Sequence, residues 1–265
     1  MNRIDATFRK LRKTGRRALI PFVTAGYPGL AATEKIVLGL EAAGADVIEL
    51  GVPFSDPIAD GPVIQMSSFE ALKKGVTLKD VLGMVRRLRR RTQVPLVAMT
   101  YFNPVLQYGP RRFVGDALTA GLDGVIIPDL PPQEEKDFQA EARRKGFAVV
   151  LFISPTTPPA RARAIAKRAK GFIYFVSLAG VTGARRKLPA DLKARLTATK
   201  RIAGRTPVCV GFGVSSPKQV RELGPYCDGV IVGSAVVNKI REGLRSKDYV
   251  AKVAAFIRNL KGEHV

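Results

Sequence analysis

Three carboxylates, three prolines and two glycines crowd the stretch ELGVPFSDPIADGP, residues 49–62. Glu49 lies in an apolar run, VIELGV, where Val47, Glu49 and Gly51 alternate with Ile48 and Leu50. In a strand that alternation puts the two sets on opposite faces. Ile48 and Leu50 suit contact with covering helices, so Glu49 is expected to face the interior. Apolar walls disfavour a carboxylate's charged form, raise its pKa and fit it for proton transfer. The alternative is a buried glutamate satisfied by a hydrogen bond. Asp56-Pro57 and Asp60-Gly61 are common turn dipeptides. Residue types alone leave Asp60 evenly placed between turn residue and second reacting group, and Asp56 nearer the turn. Pro57, Gly61 and Pro62 would hold Asp60 in one place, as a reacting group requires. Asp129, in IIPDLPP, reads as a helix or turn cap before Gln133.

A second constellation is rich in glycine. GVTG (180–183), GFGVSS (211–216) and GS (233–234) each follow an apolar run. Glycine lets backbone N–H groups approach an anion, and Gly233-Ser234 precede a helical pattern whose N-terminus favours negative charge. Neither GFGVSS nor GVTGARRK fits a dinucleotide or Walker fingerprint. The three together point to a phosphorylated substrate rather than a nucleotide. Phe22, Tyr101, Tyr174 and Phe212 stand at the ends of apolar runs. Each alone is an ordinary core aromatic; set between acids and glycines they suggest a flat apolar moiety in the ligand.

These groups need a scaffold. Eight apolar runs recur, beginning at Ala18, Val47, Val94, Gly124, Phe147, Gly171, Pro207 and Gly229, nearly continuous in hydrophobicity as strands buried on both faces should be. Helical patterns separate them at 31–43, 78–91, 110–119, 133–145, 158–169, 190–203 and 217–223. A pair at 235–244 and 248–260 follows the last. Thr77 with Asp80 suggests a capping box. Strand followed by helix, eight times, is the pattern of a (β/α)8 TIM barrel, with reacting groups at the C-terminal strand ends. An open doubly wound sheet is the competing architecture. We expect one domain over 1–265, an extra N-terminal helix at 2–12 and an extra helix at 66–74 inside the second βα connection.

Composition narrows the chemistry. The 265 residues include one histidine, His264, and two cysteines, Cys209 and Cys227. A histidine triad, a histidine-rich metal site and a disulfide framework are all excluded. A phosphosugar isomerase would want a His or Lys beside its glutamate. No window is apolar enough to span a membrane, and the basic N-terminus lacks a following apolar segment, so a cytoplasmic protein is expected. The balance of 44 Lys+Arg against 22 Asp+Glu, +22, could suggest nucleic acid. The clusters RRLRRR (86–91) and RARAIAKRAK (161–170) lie in helical patterns, read as solvated faces and carry no interleaved aromatics. Nucleic-acid contact is therefore expected only as non-specific charge attraction, with a basic nucleic-acid-binding barrel as the alternative of another class.

IELGVPFSDPIADGP, together with PFVTAGYP, AGVTG, GFGVSSP and VGSA, resembles the α subunit of tryptophan synthase, from about residue 8 to about 260. The resemblance implies retro-aldol cleavage of indole-3-glycerol phosphate to indole and glyceraldehyde 3-phosphate. Glu49 and Asp60 correspond to the catalytic pair: Glu49 as general acid/base, Asp60 ionised and accepting the indole N–H. Gly183, Gly213, Gly233 and Ser234 match phosphate-binding positions. Phe22, Tyr174, Phe212 and Val232 match the indole pocket that Tyr101 would join, and Thr182 matches a residue that closes over the site. The family's partner is a β subunit in an α2β2 complex, docking on Pro53, Asp56 and Pro57. No cofactor is expected in this chain, pyridoxal phosphate belonging to the β partner. A stand-alone indole-releasing lyase remains the nearest alternative.

Overall fold

The computed structural model describes residues 2–134, 136–176, 190–211 and 213–262. Eight parallel strands close into a barrel in sequence order, β8 returning to pair with β1. They are β1 (Ala18–Thr24), β2 (Ile48–Gly51), β3 (Leu96–Met99), β4 (Gly124–Ile126), β5 (Ala148–Ile153), β6 (Ile173–Val176), β7 (Val208–Gly211) and β8 (Gly229–Val232). The closed barrel, not the open sheet, is the architecture.

The first helices are α1 (Arg3–Lys13), α2 (Leu30–Ala42), α3 (Pro62–Leu72), α4 (Leu78–Leu88), α5 (Phe102–Tyr108) and α6 (Pro110–Ala120). Then come α7 (Lys136–Arg144), α8 (Pro159–Arg168), α9 (Leu192–Ala203), α10 (Pro217–Leu223), α11 (Ser234–Gly243) and α12 (Tyr249–Lys261). The helices α3, α6, α8 and α10 open on proline, whose missing N–H is unneeded in a first turn. The capping box at α4 forms as expected, Thr77 and Asp80 exchanging side-chain and backbone bonds.

Strand alternation sorts the core into two clusters. Ile48 and Leu50 join the larger one, between barrel and helices. Val47, Val97, Ile126, Val150, Cys209 and Ile231 fill the barrel interior. Ile4, Phe8 and Leu11 of α1 close its lower end. Asn2 caps α1 by accepting from the Ile4 N–H, and its amide donates to the Asp123 carbonyl.

Three expectations need correction. The extra helix in the second connection starts at Pro62, not at 66, because Gly61-Pro62 is a helix start rather than a continuation of the turn. Helix α5 was not anticipated: Pro104 reads as a breaker but sits in the first turn, where proline is tolerated. Arg89 is not part of a solvated face. Helix α4 ends at Leu88, and the Arg89 guanidinium turns under the barrel onto Asp123 at 2.7 Å and the Gly121 and Val94 carbonyls. Burial there lowers its pKa to about 10.

Candidate active site

Glu49 pairs in register with Phe22 of β1 and Val97 of β3 and is buried at 2% exposure. Its strand neighbour Val47 belongs to the interior cluster, so the carboxyl faces inward at the upper end of the barrel. Its Oε2 has no hydrogen-bond partner among the described residues. Burial, with the Asp60 charge adding to it, raises its pKa from 4.5 to about 8. A satisfied structural glutamate would not carry an orphaned oxygen, since each such group costs roughly 1–3 kcal/mol.

Asp60 comes from the loop beyond β2, which is braced from three sides. The Asp60 N–H donates to the Pro57 carbonyl at 3.0 Å, and the Gln65 side-chain amide to the Asp60 carbonyl at 2.8 Å. The Tyr101 hydroxyl donates to Asp60 Oδ2 at 3.1 Å and itself accepts from the Ala59 N–H at 3.0 Å. Asp60 Oδ1 is buried and has no hydrogen-bond partner among the described residues. Burial raises the Asp60 pKa to about 6, against the lowering effect of the Tyr101 hydroxyl. Two carboxyls thus share one apolar mouth with staggered affinities for a proton, each with one oxygen that no described residue bonds.

Aromatic rings line the same mouth, and glycines seat them. A Cβ on Gly51 would lie 2.4 Å from the Phe22 ring, and one on Gly211 would lie 2.3 Å from the Tyr174 hydroxyl. Gly51 carries no role in the sequence, and Gly211, the first residue of GFGVSS, reads there as part of an anion cradle rather than as the seat of Tyr174, because the clash comes from the neighbouring strand. Sequence reasoning missed Phe54, whose ring lies 5.2 Å from Tyr101, and Phe152, 5.2 Å from Tyr174. Tyr174 feels both acids: burial, then Glu49 and Asp60, push its hydroxyl pKa well up.

Asp129 is a cap, but for another element than expected. Both its carboxylate oxygens accept from the Phe102 N–H, at 2.9 and 3.1 Å, fixing the start of α5. Tyr101 is the residue just before that helix. Asp129 therefore steadies the tyrosine that holds Asp60.

Gly213 takes φ +65, a backbone conformation suited to glycine. Gly233 is the N-cap of α11, its carbonyl accepting from the Val236 and Val237 N–H groups at 2.8 and 3.1 Å, and no side chain caps the helix start. Ser234 and Val232 are buried beside it. A Cβ on Gly233 would stand 3.6 Å from Ile64 and 3.7 Å from the Phe22 Cβ. Phe22 is thus flanked by Gly233 on one side and by Glu49's strand on the other. Thr182, Gly183 and Phe212 lie outside the described residues. Among the three docking positions, Asp56 is exposed, Pro57 half-buried and Pro53 buried; Ile58 beside them is 74% exposed. The described residues contain no cluster of three His, Cys, Asp or Glu able to hold a metal, and no helix long and apolar enough to cross a membrane.

The family model for the tryptophan synthase alpha chain matches residues 8–264. A tryptophan synthase alpha chain of Geobacter sulfurreducens is 48% identical over 98% of both chains, and one of Thermoanaerobacter is 42% identical over 98% of this chain and 99% of its own. A crystal structure of the alpha chain from Legionella pneumophila is 38% identical, covers 98% of this chain and 96% of that one, and superposes with a TM-score of 0.90. The match to that fold and the inward glutamate on β2 agree: the chain belongs to the tryptophan synthase alpha chain family, whose α reaction is a step of tryptophan biosynthesis.

Proposed function

We propose that this chain cleaves indole-3-glycerol phosphate to indole and glyceraldehyde 3-phosphate, with Glu49 as general acid/base and Asp60 as the group that receives the indole N–H. The observation that carries this reading is the buried carboxyl pair, each with an oxygen unpartnered among the described residues and with pKa values near 8 and 6. Around pH 7 Glu49 then holds its proton while Asp60 is largely ionised.

Chemistry assigns the roles. Glu49 gives its proton to indole C3, and positive charge develops on the ring nitrogen. Asp60 Oδ1 accepts the N–H hydrogen bond and stabilises that charge in a low-dielectric setting. Glu49, now ionised, takes the proton of the glycerol hydroxyl next to C3. The O–H pair becomes the carbonyl of glyceraldehyde 3-phosphate, and the C–C pair returns to the indole ring. Glu49 ends protonated, so the cycle balances without a cofactor in this chain. The Gly213 and Gly233-Ser234 backbone would hold the phosphate, with Gly183 completing the cradle. Phe22, Tyr101, Tyr174, Phe212 and Val232 would flank the ring, and Thr182 would close over it.

The partner in this reading is the tryptophan synthase β subunit, in an α2β2 assembly, with pyridoxal phosphate confined to that subunit. Support comes from a solved relative, the tryptophan synthase complex of Pyrococcus furiosus, 38% identical with a TM-score of 0.85. Exposed Asp56 and Ile58 on the loop carrying Asp60 supply a surface for docking. The test is direct: the chain alone, mixed with indole-3-glycerol phosphate, should release indole. Glu49→Gln should retain less than about a hundredth of that rate, as loss of a general acid–base usually leaves. Indole release that survives in Glu49→Gln overturns the assignment.

A further inference from the structure

The positive charge is not spread evenly along the chain. Residues 142–221 hold 18 of the 44 Lys+Arg but one, Asp191, of the 22 Asp+Glu. That stretch carries +17 of the +22, and the other 185 residues carry +5. Arg185, Arg186 and Lys187 within it lie outside the described residues. Most of the remaining bases sit on α8, α9 and the turns after them, and these two helices pack side by side outside β5 to β7. Strand β6 is four strands from β2 in a closed barrel of eight. The basic face is therefore on the side away from the loop that carries Asp56 and Asp60.

Helix α8 buries Ala162 and Ile165 and leaves Arg161, Arg163 and Lys167 exposed, with exposed Lys170 just past its end. Helix α9 buries Leu196 and Ala203 and exposes Arg201, and Arg205 follows it, also exposed. None of these six has an acid within ion-pair distance among the described residues. Arg195 and Lys200 on the same helix do: Asp191 lies at 2.7 Å from the first and Asp228 at 3.0 Å from the second.

What the face lacks narrows its partner. The exposed large apolar side chains among the described residues are Ile58, Phe69, Leu106 and Leu244, all outside 142–221. A protein interface wants such anchors at its centre, and a lipid surface wants them for insertion. Single strands are gripped by stacking on aromatic rings, and no described aromatic of this stretch is exposed. A duplex bound through its phosphates asks only for lysine and arginine on one face. We propose that the outer face of α8 and α9 docks double-stranded nucleic acid through its phosphates, without regard to sequence.

The test is fluorescence anisotropy of a labelled, mixed-sequence DNA duplex titrated with the full-length protein. Binding should saturate, and the logarithm of its affinity should fall linearly with the logarithm of salt concentration. Arg163→Gln/Lys167→Gln/Arg201→Gln should lower affinity about a hundredfold at ~0.1 M salt and flatten that slope by about 2.7, near 0.9 for each lost contact. Lys167→Gln alone should flatten it by about 0.9. Arg86→Gln/Arg90→Gln/Arg91→Gln removes the same charge from exposed positions around the end of α4 and should change affinity by less than about threefold, the effect of net charge alone. All three variants should melt within a few degrees of wild type, as surface substitutions do. Equal losses in the two triple variants, or binding that never saturates, overturn the proposal. So does tighter binding, compared at equal charge, to a single strand, to phosphatidylserine vesicles or to poly-glutamate.

Discussion

At the scale of single residues, Glu49 holds a proton in the fold that it would release in the unfolded chain. Its pKa is about 8 folded against 4.5 as an ordinary glutamate. Below pH 4.5 both states are protonated and the group costs nothing in ionisation. Between 4.5 and 8 the unfolded chain gains about 1.4 kcal/mol of advantage per pH unit. Stability from this group is therefore lost as pH rises through that window, and Asp60 acts in the same direction between 3.8 and about 6. Glu49→Gln removes the loss, so its melting temperature should exceed wild type by a margin that widens from pH 5 to pH 8. A constant margin would mean that Glu49 titrates normally. Tyr101 acts on the neighbour. Its hydroxyl bond lowers the Asp60 pKa, so Tyr101→Phe should move the acidic limb of the pH–rate profile upward while leaving the alkaline limb in place. Glu49 itself was legible in the sequence, because alternation within VIELGV fixes its face. Arg89 was not: nothing in RRLRRR distinguishes the one arginine that folds under the barrel onto Asp123.

At the scale of elements, the eight strands could be read because strands buried on both faces are apolar throughout. Helix α5 escaped because its seven residues contain Asn103-Pro104, which reads as a breaker unless the first turn of a helix is known to fall there. The Asp129 partner escaped for a different reason. Capping was expected within its own segment, whereas the accepting carboxylate reaches the helix that follows the previous strand. Contacts of that kind exist only once β3 and β4 are adjacent. The consequence is testable. Asp129→Ala removes a cap, which costs on the order of 1 kcal/mol of stability. It should also loosen Tyr101 and lower kcat for indole release, with Asp129→Asn, still an acceptor, restoring much of both. Equal kcat in the two variants would separate the cap from the site. The glycine seats obey the same logic. Gly211→Ala would drive a methyl into the Tyr174 hydroxyl, and overpacking of that kind costs about 1–3 kcal/mol.

For the whole molecule, the net charge is +22, and among the described residues Lys261 is the one lysine or arginine that counts as buried. The reacting carboxyls are shielded from it by burial, and at physiological salt exposed charges fade over about 8 Å. Such a surface bears on association. Asp56→Ala should weaken stimulation by a β subunit more than it changes the rate of the chain alone, as measured by indole release with and without the partner. The barrel mouth is also what joins the acids on β2 and its loop to the glycines around β7 and β8, with Phe22 between them. That arrangement works only if one acid keeps its proton while the other has lost its own. The pH dependence of kcat/KM for indole release tests this most directly. A bell with limbs near pH 6 and pH 8, its alkaline limb abolished in Glu49→Gln along with nearly all turnover, is the predicted result. A rate that is flat from pH 5 to pH 9, or a Glu49→Gln variant with the wild-type profile, would contradict it.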